Sequence, residues 1–480
     1  MEYVIQHKQP EAVFRFFEEI SAIPRPSYHE EKIADYLVAF AKARGLWVVR
    51  DELHNVLIKA PATEGFADRA PVLLQGHTDM VCEKNADVEH DFLHDPLKLY
   101  VDGDLLRARG TTLGADNGIA VAMMLALLDG ALGAHPPVEC LFTTAEEVGL
   151  NGAEGFDYRH IDARRMVNLD SEALGWVTAG CAGGIRSDLV LHAKTELFSG
   201  EALSVSVTGL MGGHSGENIN SGRANANKLM GRLLDALLRE LPDTRLVTLA
   251  GGSKDNAIPR ECRAWLAVSS VEAASSILEE EGMRVAEALS ADDRGFSLTV
   301  ESGEPAAVML SGEDTRRAVS LLHTARNGVM AMSEDIPGLV ETSRNLGVVT
   351  AEDATLTFVF SSRSSKESAL DGSVEELDAL ASSLGCTARH YSRYPGWEYA
   401  KVSPLRDAYL RAFRDVTGRD AAVNVIHAGL ECGIICSKLP DMDVISIGPS
   451  MHDIHSPDEA LELSSTETFC QTLMRLMEIL

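Results

Sequence analysis

The sequence predicts an α/β protein, in which a mostly parallel sheet is covered by helices and a second, α+β domain is inserted into the chain. In the first third of the chain, and again near the C-terminus, short apolar runs that end in polar residues alternate with helical segments. This alternation predicts parallel strands joined by helices. Between these regions, apolar and polar residues alternate with a period of two, as expected for half-exposed strands. The 480 residues are 45% hydrophobic and 24% charged, a normal composition for two or three globular domains.

The outer domain begins with two predicted helices. Residues 13–20 place four apolar side chains on one helical face. Ser27 and Glu30 form a capping-box pattern in front of the second helix. Residues 119–128 are apolar throughout and predict a buried helix. Four further apolar runs predict strands: 72–75, 138–143, 166–169 and 444–448.

The inserted domain is predicted to span residues 184–397, so that the outer, catalytic domain comprises residues 1–183 and 398–480. Its pattern combines alternating strands with amphipathic helices, which is typical of an α+β domain. The elements that carry this prediction are two alternating strands, one amphipathic helix and a third strand: 203–207, 355–360, 229–241 and 264–268.

The chain is strongly acidic. Lys and Arg total 43 whereas Asp and Glu total 72, which gives a formal net charge of −29. Such a surface repels phosphate backbones and anionic lipids, so we expect neither nucleic acid nor a membrane as a partner. The eight cysteines form no CxxC pair, and the first twenty residues lack the apolar core of a signal peptide. We therefore expect a cytoplasmic protein with reduced thiols.

Polar residues follow the predicted strands where parallel sheets bind ligands, beyond the carboxyl ends of the strands. Each of them alone is commonly a turn or cap residue. Glu146 and Glu147 also fit a solvated turn, and Asp116 also fits a helix cap. Two histidines and several carboxylates at one sheet edge nevertheless predict a cation, because gathered like charges repel one another. The residues are His77, Asp116, Glu146, Glu147, Asp170 and His455.

These residues suffice for two metal ions. His77, Asp116 and Asp170 would hold one ion. Asp116, Glu147 and His455 would hold the second, with Asp116 bridging the two. A shared hydroxide would complete each set, and two divalent ions would balance its charge and that of three carboxylates. Imidazole and carboxylate ligands suit Zn²⁺, with Co²⁺ and Mn²⁺ as alternatives.

Two acidic residues remain outside these ligand sets. Asp79 lies two residues after His77 and is predicted to hold the second ring nitrogen of that histidine. Glu146, beside Glu147, is predicted to accept a proton from the attacking water and to pass it to the leaving amine. The sequence therefore predicts both a metal centre and a general base.

The strings around these residues resemble the co-catalytic metallopeptidases of the M20 family, and more closely its dipeptidases. The resemblance runs from about Ile20 to the C-terminus. It implies the five metal ligands named above, Asp79 as the clamp on His77 and Glu146 as the general base. It also implies a cis peptide bond between Asp116 and Asn117. The matching strings are GHTDMV at 76–81, RGTTLGADNG at 109–118, TAEEVG at 144–149, NLDS at 168–171 and CAGG at 181–184.

The same resemblance identifies the inserted domain as a lid and dimerisation domain. It implies that His214, in the lid motif, reaches the active site across a homodimer and stabilises the oxyanion. It implies that Asn256 contacts the substrate and that Arg363 binds the substrate carboxylate. It further implies that the backbone at Gly429 receives the same carboxylate. Arg344 is an alternative to Arg363.

We therefore expect a dizinc dipeptidase that hydrolyses dipeptides with a free C-terminal carboxylate. Binding of that carboxylate would place the peptide bond one residue away at the metal ions. In a longer peptide, this bond would not be the one that releases a dipeptide's two amino acids, so we expect dipeptides as substrates. A preference for Xaa-His dipeptides, such as β-Ala-His, is implied by the resemblance alone. Two alternatives stay open: a metal-dependent N-acyl amino acid deacylase, and a non-catalytic dimeric binding protein with the same fold.

Overall fold

The computed structural model describes residues 3–197, 199–303 and 308–480. Among these residues, no helix combines the length and the apolar character needed to cross a bilayer. Two short 3₁₀ helices, Tyr158–His160 and Ala291–Asp293, accompany the α-helices. The α-helices of the described residues are α1 (Glu11–Ser21), α2 (Glu31–Ala43), α3 (Ala115–Leu128), α4 (Asn151–Gly155), α5 (Ala226–Glu240), α6 (Val271–Ala288), α7 (Gly312–Thr324), α8 (Glu367–Leu384), α9 (Pro404–Thr417), α10 (Glu431–Lys438) and α11 (Leu463–Ile479).

The strands form two large sheets and three small ones in the described part of the chain. They are β1 (Trp47–Arg50), β2 (Val56–Ala60), β3 (Val72–His77), β4 (Leu99–Asp102), β5 (Leu105–Ala108), β6 (Val138–Thr143), β7 (Arg165–Asn168), β8 (Trp176–Cys181), β9 (Gly183–His192), β10 (Thr195–Glu196), β11 (Glu201–Thr208), β12 (Gly213–His214), β13 (Arg245–Gly251), β14 (Ala257–Ile258), β15 (Cys262–Val268), β16 (Ser297–Ser302), β17 (Met309–Leu310), β18 (Gly328–Met332), β19 (Val340–Glu352), β20 (Thr355–Ser364), β21 (Thr387–Tyr394), β22 (Ala422–Ile426), β23 (Asp443–Ser446), β24 (Met451–His452) and β25 (Ala460–Glu462).

The chain divides into two compact units. The first comprises Met1–Cys181, Trp397–Val425 and Leu430–Leu480, and the second comprises Ala182–Gly396 with Ile426–Gly429. The membership of Ile426–Gly429 in the second unit was not apparent from the sequence, because this segment starts at the last residue of β22 and no pattern separates it from the rest of that strand.

The main sheet of the first unit has the strand order β1-β2-β6-β3-β7-β23-β8-β22. Its central strands β6, β3, β7 and β23 run parallel and are the four apolar runs singled out in the sequence. Every residue of β3 and β6 is buried, as expected for central strands covered on both faces. The mixed α/β fold is confirmed, but the predicted mostly parallel sheet is wrong, because β1, β2 and β8 pair antiparallel and, in the described residues, only the four central strands are parallel to one another. Parallel strands bring their carboxyl ends to one edge, and this edge carries the candidate site.

Helix α3 packs in the core of the first unit, and all its residues except Asp116 are buried. Its apolar side chains pack in one cluster with those of α1, such as Phe14 and Phe17, and of α11, such as Phe469 and Leu473. The predicted buried helix at 119–128 therefore exists, and it begins four residues earlier, at Ala115.

The large sheet of the second unit consists of two halves with the same topology. In the first half, β11-α5-β13-β15-α6-β16 folds into the antiparallel order β16-β11-β15-β13. The second half begins with β9, which precedes the first half in the chain, and continues after it with α7-β19-β20-α8-β21. Its strand order is β19-β20-β9-β21. Each half is thus a βαββαβ unit, and β13 pairs antiparallel with β19 where the halves meet. The role of this unit as a lid or dimerisation domain stays a prediction.

Candidate active site

Three adjacent parallel strands end beside the candidate metal ligands. His77 is the last residue of β3, and its register partner on β6 is Thr143, three residues before Glu146. On the other side, Gln75 of β3 pairs with Asn168, the last residue of β7. Asp170 follows two residues later, so the strand order itself gathers these side chains at one edge.

Asp116 sits at the first turn of α3 in a non-helical conformation, with φ −78° and ψ 106°. The peptide bond between Asp116 and Asn117 is cis, as the resemblance implied. Asp116 does not cap the helix, since Glu459 accepts hydrogen bonds from the backbone N–H groups of 113–116 at 2.7 to 3.4 Å. This distant carboxylate satisfies the free N–H groups of the helix start and leaves the Asp116 side chain to the site.

The two oxygens of Asp116 face different histidines. Oδ1 lies 3.1 Å from His77 Nε2, and Oδ2 lies 3.0 Å from His455 Nε2. His77 Nε2 is also 3.5 Å from Asp170 Oδ1. His455 Nε2 is 3.1 Å from Glu147 Oε1. The structure thus brings together the five residues that the sequence singled out as ligands, with Asp116 in the middle.

These residues fall into two sets, each with ligand atoms within 4.8 Å of one another: His77, Asp116 and Asp170, and then Asp116, Glu147 and His455. Imidazole nitrogens and carboxylate oxygens are the ligands that Zn²⁺ and similar divalent ions prefer. Each set has three members, so the donor chemistry fits two adjacent divalent ions that share one carboxylate.

The charges of the cluster support the same conclusion. Burial acts to lower the pKa of His77, but Asp170 and Asp116 together raise it well above its usual value. Hydrogen bonds to Asp116 and Glu147 raise the pKa of His455 to about 11. Carboxylates packed this closely repel one another unless positive charge is added, either by protons on the carboxylates and histidines or by cations. Divalent ions supply it without protonating the ligands.

Asp79 holds both His77 and the turn after β6. The Nδ1–H of His77 donates to the backbone carbonyl of Asp79 at 3.0 Å, and the carboxylate Oδ1 of Asp79 is 3.4 Å from the same nitrogen. A proton on Nδ1 leaves Nε2 with a lone pair directed at the ligand cluster. The Asp79 carboxylate also accepts the backbone N–H groups of Glu146 and Glu147, at 3.1 and 3.3 Å. One side chain therefore orients the candidate ligand His77 and the turn that carries Glu146 and the candidate ligand Glu147.

The predicted capping box in front of α2 is wrong. Helix α2 begins at Glu31, and no side chain caps it. Ser27 instead donates its hydroxyl to Asp79 Oδ2 at 2.7 Å, and Glu30 accepts the backbone N–H of Ala145 at 2.8 Å. Both residues support the site, because their tertiary partners compete with the local cap.

Glu146 lies within 4.8 Å of His77 and Glu147. Its side chain makes no hydrogen bond or ion pair with any residue in the described part of the chain. Burial raises the pKa of Glu146 well above its usual value, and the Asp170 and Glu431 carboxylates add to this although His77 opposes it. A carboxylate with a raised pKa and a free oxygen is suited to take a proton from water.

Two buried carboxylates that support the candidate site were not predicted from the sequence. One is Glu459, described above. The other is Glu431, a buried carboxylate whose Oε2 accepts hydrogen bonds from Gln75 Nε2 at 2.6 Å and Thr143 Oγ1 at 2.8 Å. Burial raises the pKa of the Glu431 carboxyl. These contacts tie α10 to β3 and β6 just below His77, and no local sequence signal indicates them.

In the second unit, β12 and β14 form a two-stranded ribbon that carries the predicted lid residues. His214 pairs with Ala257, and the Ser215 N–H donates to the carbonyl of Asn256 at 2.9 Å. The Asn256 side chain is exposed. The structure therefore brings His214 and Asn256 to one ribbon of this unit.

His214 is half-buried and has a defined tautomer. Its Nδ1 accepts the backbone N–H groups of Gly216 and Glu217, both at 3.3 Å. Burial, followed by the charge of Arg363, lowers the pKa of His214. The neutral ring then carries its proton on Nε2. Gly216 lies against the His427 carbonyl of the same chain, where an added Cβ would be 2.4 Å from the oxygen.

Arg363 and Arg344 differ in their partners. Arg344 is 1% exposed, and its guanidinium donates to Glu376 Oε1 at 3.1 Å and to the Ser373 carbonyl at 2.9 Å. Arg363 is 9% exposed and donates from Nη1 to Tyr394 Oη at 2.9 Å. Its Nε has no partner, and no carboxylate lies within 4 Å of it in the described residues. Of these two arginines, only Arg363 has no anionic partner among the described residues.

The loop 427–429 lies beside Arg363 in the second unit. The Nε2 of His427 accepts the hydroxyl of Ser343 at 2.7 Å. Burial, with smaller contributions from Arg363 and His214, lowers the pKa of His427 to about 4. Within the described residues, the backbone N–H of Gly429 has no hydrogen-bond partner. The loop thus presents a neutral imidazole and an available N–H group.

Comparison with known proteins identifies the family. Residues 73–479 match peptidase family M20/M25/M40. The chain belongs to this family. It is 39% identical over 475 residues to the cytosol non-specific dipeptidase of Escherichia coli strain K12, covering 98% of this chain and 97% of that protein.

Solved structures agree with this M20 assignment. The aminoacylhistidine dipeptidase from Vibrio alginolyticus superposes with a TM-score of 0.93 at 37% identity, covering 98% of this chain and 97% of the other. The aminopeptidase PepT from Bacillus cereus shares the fold, with a TM-score of 0.56 at 14% identity over 98% of this chain and 99% of that one. The predicted family and the predicted hydrolase of peptide bonds are confirmed, and membership implies divalent metal ions.

Proposed function

We propose that this M20 peptidase is a dipeptidase that uses two divalent metal ions. Zn²⁺ is the preferred ion, and Co²⁺ and Mn²⁺ are alternatives. The observation that carries the proposal is Asp116, which is shared by two ligand sets beside the unpaired carboxylate of Glu146. The E. coli relative and the V. alginolyticus relative are both named as dipeptidases. His77, Asp116, Glu147, Asp170 and His455 would hold the ions.

When bound, such ions polarise the scissile carbonyl and make water acidic enough to attack at neutral pH. The protein residues perform the proton transfers. Glu146 takes the proton of the attacking water on its free carboxylate oxygen and then gives it to the departing amine. Asp79 keeps His77 in the correct tautomer and holds the Glu146–Glu147 turn in place.

His214 is proposed to stabilise the oxyanion. Its Nδ1 is occupied as an acceptor, so the neutral ring offers Nε2–H as a donor to the oxygen that becomes negative. The resemblance implied that this histidine comes from a partner subunit. Its neighbours Arg363 and His427 belong to the same chain, which supports an arrangement in which one chain supplies these three residues together.

Arg363 is proposed to bind the C-terminal carboxylate of the substrate, with Asn256 as a further substrate contact. A nearly buried guanidinium without an anion is costly, and a bidentate carboxylate would satisfy it. The free N–H of Gly429 supplies a second donor. Arg344 already has Glu376 as its partner, which supports Arg363 as the ligand-binding residue.

The substrate class follows from this grip. A carboxylate held by Arg363 and Gly429 allows one residue between it and the scissile bond, so dipeptides are favoured over longer peptides. A preference for Xaa-His dipeptides is proposed from the name of the Vibrio relative. A homodimer formed through the second unit stays a prediction. A cytoplasmic location also stays a prediction, and the name of the E. coli relative supports it.

The proposal is tested by metal analysis combined with a substrate panel of β-Ala-His, Ala-Ala, Ala-Ala-Ala and N-acetyl-alanine, each with and without a chelator. We expect about two ions per chain, hydrolysis of the dipeptides only, and loss of turnover with the chelator that Zn²⁺ or Mn²⁺ restores. Faster cleavage of N-acetyl-alanine would instead identify a deacylase. Failure to cleave any of the four with metal supplied would favour the binding protein.

A further inference from the structure

Four residues form one row across the sheet of the second unit. Ser343 on β19 pairs with Arg363 on β20, Arg363 pairs with Gly184 on β9, and Gly184 pairs with Tyr394 on β21. Side chains at paired positions of a sheet project from the same face. Arg363 and Tyr394 are therefore separated by one strand, and the residue between them has no side chain.

The absence of a side chain at Gly184 lets Tyr394 reach Arg363. Strands two apart in a sheet are separated by roughly 9.5 Å, yet Tyr394 Oη and Arg363 Nη1 are 2.9 Å apart. The tyrosine ring crosses above Gly184 to make this contact. A Cβ added at Gly184 would lie 2.5 Å from Tyr394 Oη and 2.6 Å from Cζ, so the contact requires glycine at this position.

The same ring also supports the loop at Gly429. A Cβ added at Gly429 would lie 2.8 Å from Tyr394 Cε2. At the opposite end of the row, the Ser343 hydroxyl is hydrogen-bonded to Nε2 of His427, in the same loop, at 2.7 Å. The loop is thus attached at both ends of the row, and Arg363 lies between the two attachments.

We propose that Tyr394 is a positioning residue for the substrate carboxylate, which fixes the Arg363 guanidinium and the Gly429 loop relative to each other, and that Gly184 makes this possible. The inference rests on the proposed role of Arg363. The hydrogen bond to Tyr394 is the only one that the Arg363 side chain makes in the described residues. Without it, no hydrogen bond from the described residues would fix the guanidinium in one orientation, and the cost of ordering it would weaken substrate binding.

The first test is the variant Y394F, which keeps the ring and removes the hydroxyl. For a dipeptide with a free carboxylate we expect KM to rise roughly 10-fold, with kcat within about two-fold of the parent. Y391F is the matched control, since Tyr391 lies on the same strand and donates to Asp188 Oδ1 at 3.0 Å, away from Arg363. Its KM should be unchanged.

The second test is a double-mutant cycle between G184A and Y394A. G184A should raise KM at least as much as Y394F, because the new methyl group displaces the ring. In the background of Y394A the same methyl group meets no ring and should have little further effect on KM. Additive effects on KM would show that Gly184 acts independently of Tyr394 and would overturn that part of the inference.

The remaining outcomes separate this inference from the proposed function. If R363A raises KM and Y394F does not, Arg363 binds the carboxylate without help and the role of Tyr394 is refuted. If Y394F lowers kcat and thermal stability and leaves KM unchanged, the residue is merely structural, which also refutes it. If R363A leaves KM unchanged, the proposed carboxylate site itself is wrong.

Discussion

His455 Nε2 lies 3.0 Å from Asp116 Oδ2, although the two residues are 339 positions apart. His455 belongs to the loop after β24. Glu459 on the same loop binds the backbone N–H groups at the start of α3, where Asp116 is located. One loop therefore both carries the candidate ligand His455 and holds the backbone of Asp116, the residue that the two candidate ligand sets share. This relationship makes the two sets experimentally separable.

Removing His455 should cost one metal ion, whereas removing Asp116 should cost both. H455A leaves His77, Asp116 and Asp170 intact, so we expect the content to fall from about two ions to about one per chain. D116N weakens both sets, and we expect little bound metal. Elemental analysis after dialysis measures this. H452A is the matched control, because His452 pairs with Glu462 in the same region and belongs to neither set.

Replacing Glu146 should affect turnover and not metal binding. E146Q keeps the size of the side chain and removes its basicity, so we expect kcat to fall by about 10²- to 10⁴-fold with metal content within error of the parent. The control is E154Q, an exposed carboxylate paired with Lys438. Undiminished turnover in E146Q would refute the assigned role, and loss of metal would reassign Glu146 as a ligand.

The two arginines should respond differently to truncation. R363A removes the proposed carboxylate partner, and we expect KM for dipeptides to rise on the order of 10²-fold without a large change in melting temperature. R344A removes one of the two arginines that pair with Glu376 and the donor of the buried hydrogen bond to the Ser373 carbonyl, so we expect a lower melting temperature and a nearly unchanged KM. The opposite pattern would transfer the binding role to Arg344.

His427 should make the protein sensitive to acid. Its pKa is lowered to about 4 in the fold, against about 6.5 in an unfolded chain. Between these two pH values the unfolded state binds more protons than the folded state. The free energy of unfolding is therefore unaffected by protonation of His427 above pH 6.5 and decreases as the pH falls towards 4. We expect H427N to reduce the acid-induced loss of unfolding free energy by up to about 3 kcal/mol.

Urea unfolding at pH 7 and pH 4.5, with chelator at both values, measures this effect without a contribution from metal release. H192N, at an exposed position of the same unit, is the control. Equal acid-induced losses in H427N and the parent protein would mean that His427 is not held neutral in the folded state.

Much of the outer fold could be read from local patterns. The apolar runs at 72–75 and 138–143 are fully buried strands. A strand that is covered on both faces has no solvent-exposed side, so its sequence is apolar throughout and does not alternate. Polar residues directly after such strands were candidates because parallel strands end at one edge. His77, Glu147 and Asp170 are gathered for that reason, and the local sequence was sufficient to find them.

Other contacts had no local signal. Ser27 and Glu30 have the pattern of a helix cap, yet they bind Asp79 and the backbone of Ala145, because tertiary partners outcompeted the local ones. Glu431 and Glu459 are distant in sequence from the groups that they hold.

The central strands, the family and the candidate site residues could be predicted from the amino-acid sequence, because burial patterns and reactive residue types are local properties. The folded chain was needed to establish which oxygen of Asp116 faces which histidine, which tautomer His214 adopts, and which of the two arginines lacks an anion. Those properties depend on distances between residues far apart in the chain, and distances are established only when the sheets pack.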